Sequence, residues 1–128
     1  MKKIIQPKAL SDPRPRYSQG ILIESGRLLF IAGQTASDKD GNVVGKGDIG
    51  AQTTQVFKNI AAVLEEAGGS FDNLVMTTTY ITDRKHREGY NRVRQQYYKK
   101  ESPTSTLVIV TGLANPDYLI EIAGIAVL

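Results

Sequence analysis

The residues able to do chemistry in this chain are few. It has no cysteine and a single histidine, His86, so thiolate nucleophiles, disulfides, Cys-based zinc and iron–sulfur ligation are all absent. A His-rich metal site is also short of ligands, and His86 is expected on the surface. Gly45-Lys46-Gly47-Asp48 lacks the length and the Ser/Thr of a phosphate loop. No metal and no cofactor is therefore assigned. What remains is a polar set in apolar surroundings: Tyr17, Ser18, Gln19, Gly33, Gln34, Thr35, Asn91, Ser105, Thr106 and Glu121. Glu121 stands among Leu119, Ile120 and Ile122, where a carboxylate is costly to bury unless paired or protonated. A partner is expected for it, either in a structural hydrogen bond or ion pair, or as a general acid/base held in a cleft. Tyr17 sits where a proline-rich lead-in meets the first strand, placed to close a pocket or to anchor the core.

These residues need elements to position them. Pro7, Pro13 and Pro15 predict an extended, irregular lead-in, and no helix, over the first sixteen residues. Ile21–Ile23 and Leu28–Ile31 read as two strands joined by a hairpin at Glu24-Ser25-Gly26. A turn at Asp38–Asn42 follows, then a helix N-capped by Asp48, with apolar residues at helical spacing from Ile49 to Ala67 and an end at Gly68-Gly69. The β-branched run Leu74–Thr82 predicts a strand. Tyr90, Val93 and Tyr97 place one apolar face on a second helix over His86–Lys100. Thr104–Val110 and Tyr118–Val127 close the chain as strands around a turn at Gly112–Asp117. Two helices against five or six strands make an α+β domain with one mostly antiparallel sheet. The 128 residues, 41% hydrophobic and 23% charged, fit one domain spanning 1–128.

The net charge of +3 is small for a protein that would live by neutralising phosphates. Between Arg84 and Lys100, seven basic residues face one acid and interleave with Tyr90, Tyr97 and Tyr98. That composition suits an RNA-contacting surface, with a solvated helix face as the plainer reading. No apolar run approaches the ~20 residues of a membrane-spanning helix, and no signal-peptide stretch is seen at the start; a cytoplasmic protein is expected.

Leu107–Val110 and Ile120–Val127 are apolar on both parities, so both faces of those strands should leave water. Two helices cover one face. Apolar sheet left wet on the other would forgo burial worth ~25 cal/mol per Å² and invite association. A homo-oligomer packed through its sheet faces is the expectation.

Tyr17-Ser18-Gln19, Ile31-Ala32-Gly33-Gln34, the Gln52 to Ala67-Gly68 helix, Thr77–Asp83, Asn91 and Ile120–Val127 together resemble the Rid family, also called the YjgF or L-PSP family. The likeness runs through nearly the whole chain in unbroken order. It implies a chorismate-mutase-like α+β fold with two helices on one face of the sheet. It also implies a homotrimer with a barrel-like core and three small-molecule clefts between subunits. The best-known branch hydrolyses reactive enamines and imines, such as 2-aminoacrylate, to ketoacids and ammonia without metal or cofactor.

Tyr17, Gly33 and Asn91 match pocket positions of that branch. The Pro-x-Arg segment that supplies its substrate-binding guanidinium is here Pro103-Thr104-Ser105, its Glu-Ile-Glu is Glu121-Ile122-Ala123, and the cysteine of many relatives is Leu107. Losing a charge-assisted contact of ~1.5–3 kcal/mol should weaken a carboxylate substrate substantially. Arg16, beside Tyr17, offers a relocated cation, and Glu121, on the strand face of Ala123, an acid/base. With these compensations added to the matched positions, Glu121 and Tyr17 are the expected catalytic residues, and Arg16, Tyr17, Ser18, Gly33, Asn91, Ser105, Thr106 and Leu107 the expected ligand contacts. Whether the chain is an enzyme stays open at this point. An enamine/imine deaminase-like hydrolase of altered specificity and a non-catalytic metabolite sensor both fit. Ribonuclease activity or RNA binding through the basic segment lacks a visible acid/base pair, and neither nucleic acid nor membrane is an expected partner.

Overall fold

The computed structural model describes residues 2–128. Its strands are β1 (Lys2–Ile5), β2 (Gly20–Ile23), β3 (Leu28–Gln34), β4 (Leu74–Ile81), β5 (Thr104–Ile109) and β6 (Ile120–Val127); its helices are α1 (Ile49–Glu66) and α2 (Arg87–Arg94). β3-β6-β4-β5 form one sheet, antiparallel except for the parallel β4–β5 pair, and β1-β2 form a separate antiparallel ribbon. The α+β class is as expected, with the strands divided between two hydrogen-bonded units where one sheet was anticipated.

Two expectations near the N-terminus are corrected. Lys2–Ile5 is a strand, because the first proline, at residue 7, constrains no residue before Gln6, and these four residues pair with β2 in the register Lys2↔Ile23 to Ile5↔Gly20. The Ile21–Ile23 and Leu28–Ile31 strands form as predicted but do not pair with each other. Arg27 instead exchanges two backbone hydrogen bonds with Leu128, at 2.7 and 2.9 Å, so the chain leaving the Glu24–Gly26 turn is taken up by β6 from Leu28↔Val127 onward.

α1 is built as its sequence predicts. Asp48 accepts a hydrogen bond from the Ala51 amide at 3.0 Å, the expected N-cap. At the other end Gly68, at φ +86°, donates to the Glu65 carbonyl, and Gly69 donates to Leu64, a Schellman closure that needs the left-handed conformation glycine allows. Val56, Phe57, Ile60 and Leu64 form its buried stripe against Ile31, Leu74, Ile81, Ile120, Ile122 and Ala126. Gln52 is fully buried on the same helix. Its amide nitrogen donates to the carbonyls of Gly45 and Asp117, and its oxygen accepts from the Leu119 amide at 2.8 Å. One side chain thereby ties two loops to the start of β6.

The second helix is shorter than the predicted His86–Lys100. A turn of 3₁₀-helix at Arg84–His86, capped by the Asp83 carboxylate, leads into α2, which ends at Arg94. Beyond it, Gln96 and Tyr97 donate to Val93 and Arg94, tighter i to i−3 bonds that close the helix. They carry Tyr97 onto Phe57, stacked with centroids 4.7 Å apart, while Phe71 lies 5.3 Å from Tyr97. Aromatic packing on α1 competes here with another helical turn. Tyr90 is also buried and meets Thr79 at 3.1 Å between hydroxyls. The tyrosines of the basic segment therefore point inward, and neither an RNA-stacking surface nor a wholly solvated helix face describes it.

Strand alternation sorts the sheet into two faces. Thr77, Thr79 and Ile81 of β4 and Ile120, Ile122 and Ala126 of β6 are buried beneath the helices. The opposite face carries Leu28 and Phe30, 60% and 71% exposed, with Met76 and Val108. Tyr80, Ala123 and Ile125 share it. The uncovered apolar face anticipated from the sequence is present.

Candidate functional site

Glu121 lies on that open face. It pairs with Tyr80 across β4–β6, and Tyr80 pairs with Val108 across β4–β5, giving a row of three side chains on one surface. Glu121 is half-buried and makes no hydrogen bond or ion pair among the described residues, which corrects the expectation of a buried, partnered carboxylate. The physical reason is parity: Ile120 and Ile122 take the core positions, so Glu121 faces away from the helices. Its carboxylate rests over Gly33, where any side chain would overlap it. Gly33 falls at the irregularity between Ile31 and Gln34 in the β3–β6 register. Two of the anticipated site residues are thus brought into direct apposition.

β5 splits the next three. Ser105 and Leu107 pair with Thr77 and Thr79, on the helix-side face, whereas Thr106 pairs with Thr78, itself opposite Ala123. Thr106 therefore shares the open face with Glu121, and Ser105 and Leu107 do not.

Arg16, Tyr17 and Ser18 lie on the segment between β1 and β2, which is pinned to the approach of β5. Ser18 donates through its amide to Pro103 and through its hydroxyl to Ser102, at 3.2 and 2.6 Å, and the Ser102 hydroxyl donates to Pro15. Two cavities flank this clasp, and Pro15 and Ser102 line both. The smaller, about 170 Å³, takes Tyr17 and Ser18. The larger, about 400 Å³, takes Arg16 and Asn91. Within a single chain the anticipated residues are thus distributed over the open face, the helix-side face of β5 and two neighbouring cavities.

The larger cavity is also lined by Arg94, which the sequence reading passed over. Arg94 is only 8% exposed, with its guanidinium carbon 5.8 Å from the ring centroids of both Tyr90 and Tyr98. Its position was available in the spacing: it follows Tyr90 by four and Asn91 by three, on the inward side of α2. Burial pushes the Tyr98 hydroxyl well above its ordinary pKa, with Tyr90 adding to the rise and Arg94 opposing it. His86 is half-buried rather than free on the surface. Partial burial, and then the charge of Lys85, hold its imidazole below the usual value, against the attraction of Asp83. Among the described residues no group of three or more His, Cys, Asp or Glu side chains is arranged to hold a metal ion, and no helix is long and apolar enough to cross a membrane.

A model of the endoribonuclease L-PSP family matches residues 7–128. The chain belongs to that family. The L-PSP assignment coincides with the Rid/YjgF resemblance carried by the residues from Tyr17 to Val127. A RutC family protein from Pyrococcus horikoshii is 41% identical over 127 residues, 98% of each chain, and one from Saccharolobus solfataricus is 40% identical over the same length and coverage. Among solved structures, a Rid family protein of unknown function, YyfB from Yersinia pestis, superposes with a TM-score of 0.91 at 32% identity, covering 99% of this chain and 98% of its own. RidA from a Psychrobacter species superposes at 0.74 with 28% identity, covering 98% and 99%. The α+β architecture of this L-PSP chain is therefore that of the Rid structures.

Proposed function

We propose that this chain is a trimeric Rid-family hydrolase of reactive enamines or imines, with its small-molecule clefts formed where the open sheet faces of neighbouring copies meet. The observation that carries this reading is the placement of Glu121. An unpartnered carboxylate on an exposed apolar sheet face is poorly explained by the needs of one subunit, and it becomes useful once a second copy walls it in. Exclusion of water strengthens its interactions with whatever shares the cleft. There it can take a proton from the water that attacks the imine carbon and pass it to the nitrogen, then relay the remaining hydroxyl proton to that nitrogen as the C–N bond breaks, yielding a carbonyl product and ammonia. Gly33 leaves the carboxylate room to lie across β3, and Thr106 on the same face offers a neutral hydroxyl.

Ser105 and Ala123 replace the arginine and second acid of the deaminase branch, so the specificity differs from that branch. The same replacements favour, as a second reading, a metabolite-binding trimer without turnover. The discriminating experiment is a coupled assay with freshly generated 2-aminoacrylate and with other small imines, run beside a family deaminase. Turnover that disappears in Glu121→Gln supports the hydrolase. Ligand binding with no turnover in the wild type supports the sensor.

A further inference from the structure

We infer that Arg94 anchors a binding site for a small organic carboxylate, built within one chain in the cavity between α2 and the Pro15–Ser102 clasp. This goes beyond the reading above, because the cavity is lined by neither Gly33, Thr106 nor Glu121.

The ion-paired arginines among the described residues are largely exposed: Arg14 meets Asp12, and Arg92 meets Glu88. Arg94 is more than nine-tenths buried, yet its guanidinium makes no ion pair and no hydrogen bond among the described residues. A guanidinium brings five N–H donors that require acceptors; those of Arg94 find none in the protein among the described residues and stay open to solvent. The rings of Tyr90 and Tyr98 attract its charge but supply no counter-charge. The unmet donors border a cavity of about 400 Å³, a volume in the range of organic-ligand pockets and larger than a lone ion needs.

The walls specify the guest. No Asp or Glu lines the cavity, and Arg16 adds a second positive charge at its exposed edge. The guest is therefore an anion. A planar guanidinium matches a carboxylate through two parallel hydrogen bonds, and Pro15 and the Tyr98 ring supply apolar surface for a short carbon body. Asn91, three residues before Arg94 and so on the same side of α2, makes no side-chain hydrogen bond among the described residues and can serve a second polar group of the guest.

The test is NMR of the arginine Nε–Hε signals in the intact oligomer, titrated separately with pyruvate, benzoate and inorganic phosphate, the Arg94 signal being assigned from Arg94→Lys. Expected is a saturable shift of the Arg94 signal with the carboxylates, weakened about ten- to hundredfold in Arg94→Met, weakened less in Arg16→Gln, and unchanged in Glu121→Gln. An Arg94 signal unmoved by either carboxylate overturns the site, as does equal binding in Arg94→Met. Phosphate binding as tightly as the carboxylates overturns the ligand class. The wild-type titration and Arg16→Gln decide the matter even if Arg94→Met does not fold. Because Glu121 is a separate arm, loss of turnover in Glu121→Gln with carboxylate binding retained separates the fate of the hydrolase reading from that of this site.

Discussion

The carboxylate of Glu121 occupies the space that a side chain on Gly33 would fill. β3 and β6 are thus matched at this point by a glycine on one strand and an acid on the other, on the face the helices leave uncovered.

Gly33→Ala should therefore act through Glu121. The overlap involves the end of a flexible side chain, so Glu121 can swing aside and the fold should lose little stability, within about 1 kcal/mol. Turnover or ligand binding in the proposed cleft should fall toward that of Glu121→Gln. Parallel urea melts and assays of the two variants check this, and normal activity in Gly33→Ala would show that the position of the carboxylate does not matter.

Gln52→Leu should be among the most damaging single changes outside the apolar core. It removes three hydrogen bonds at once and leaves the carbonyls of Gly45 and Asp117 and the amide of Leu119 without this partner. Each buried backbone group so abandoned costs ~1–3 kcal/mol, and partial rehydration of the loops should hold the total to about 2–4 kcal/mol. Chemical denaturation reads the loss directly, and Gln52→Glu, which keeps the acceptor for Leu119 but loses the donor, should also destabilise.

His86 gives an unusually clean pH probe because no other histidine is present. Its imidazole should titrate below 6.5 in the folded protein, since partial burial and Lys85 disfavour the charged form. Lys85→Gln should move the midpoint up and Asp83→Asn should move it down. The unfolded chain then binds the proton more readily than the folded one, so the associated stability is intact above about pH 6.5 and declines as pH falls from the unfolded value through the lower folded one. Imidazole NMR titration tests the direction, and a midpoint above 6.5 contradicts it.

Much of this fold is legible in the sequence because its signals are local. Asp48 and Gly68 bound α1 through hydrogen bonds within a few residues, and the period of Val56, Ile60 and Leu64 fixes which side is buried. The β2–β3 hairpin failed because Leu128, a hundred residues away, competes for Arg27. α2 was drawn too long because Tyr97 continues the helical spacing yet reaches Phe57 only after the helix has closed. At the site, alternation along β6 placed Glu121 and Ala123 on one face, while the expectation of a partner came from its apolar neighbours, which belong to the opposite face. Arg94 escaped notice because a basic residue in a basic stretch gives no sign of burial until Tyr90 and Tyr98 are seen against it.

Sedimentation velocity at micromolar protein tests most directly whether copies of this chain complete one another. A particle of three 14.0 kDa chains is predicted for the wild type, with dissociation in Phe30→Lys, which sets a charge on the open face. A stable, folded single chain in the wild type would contradict the account.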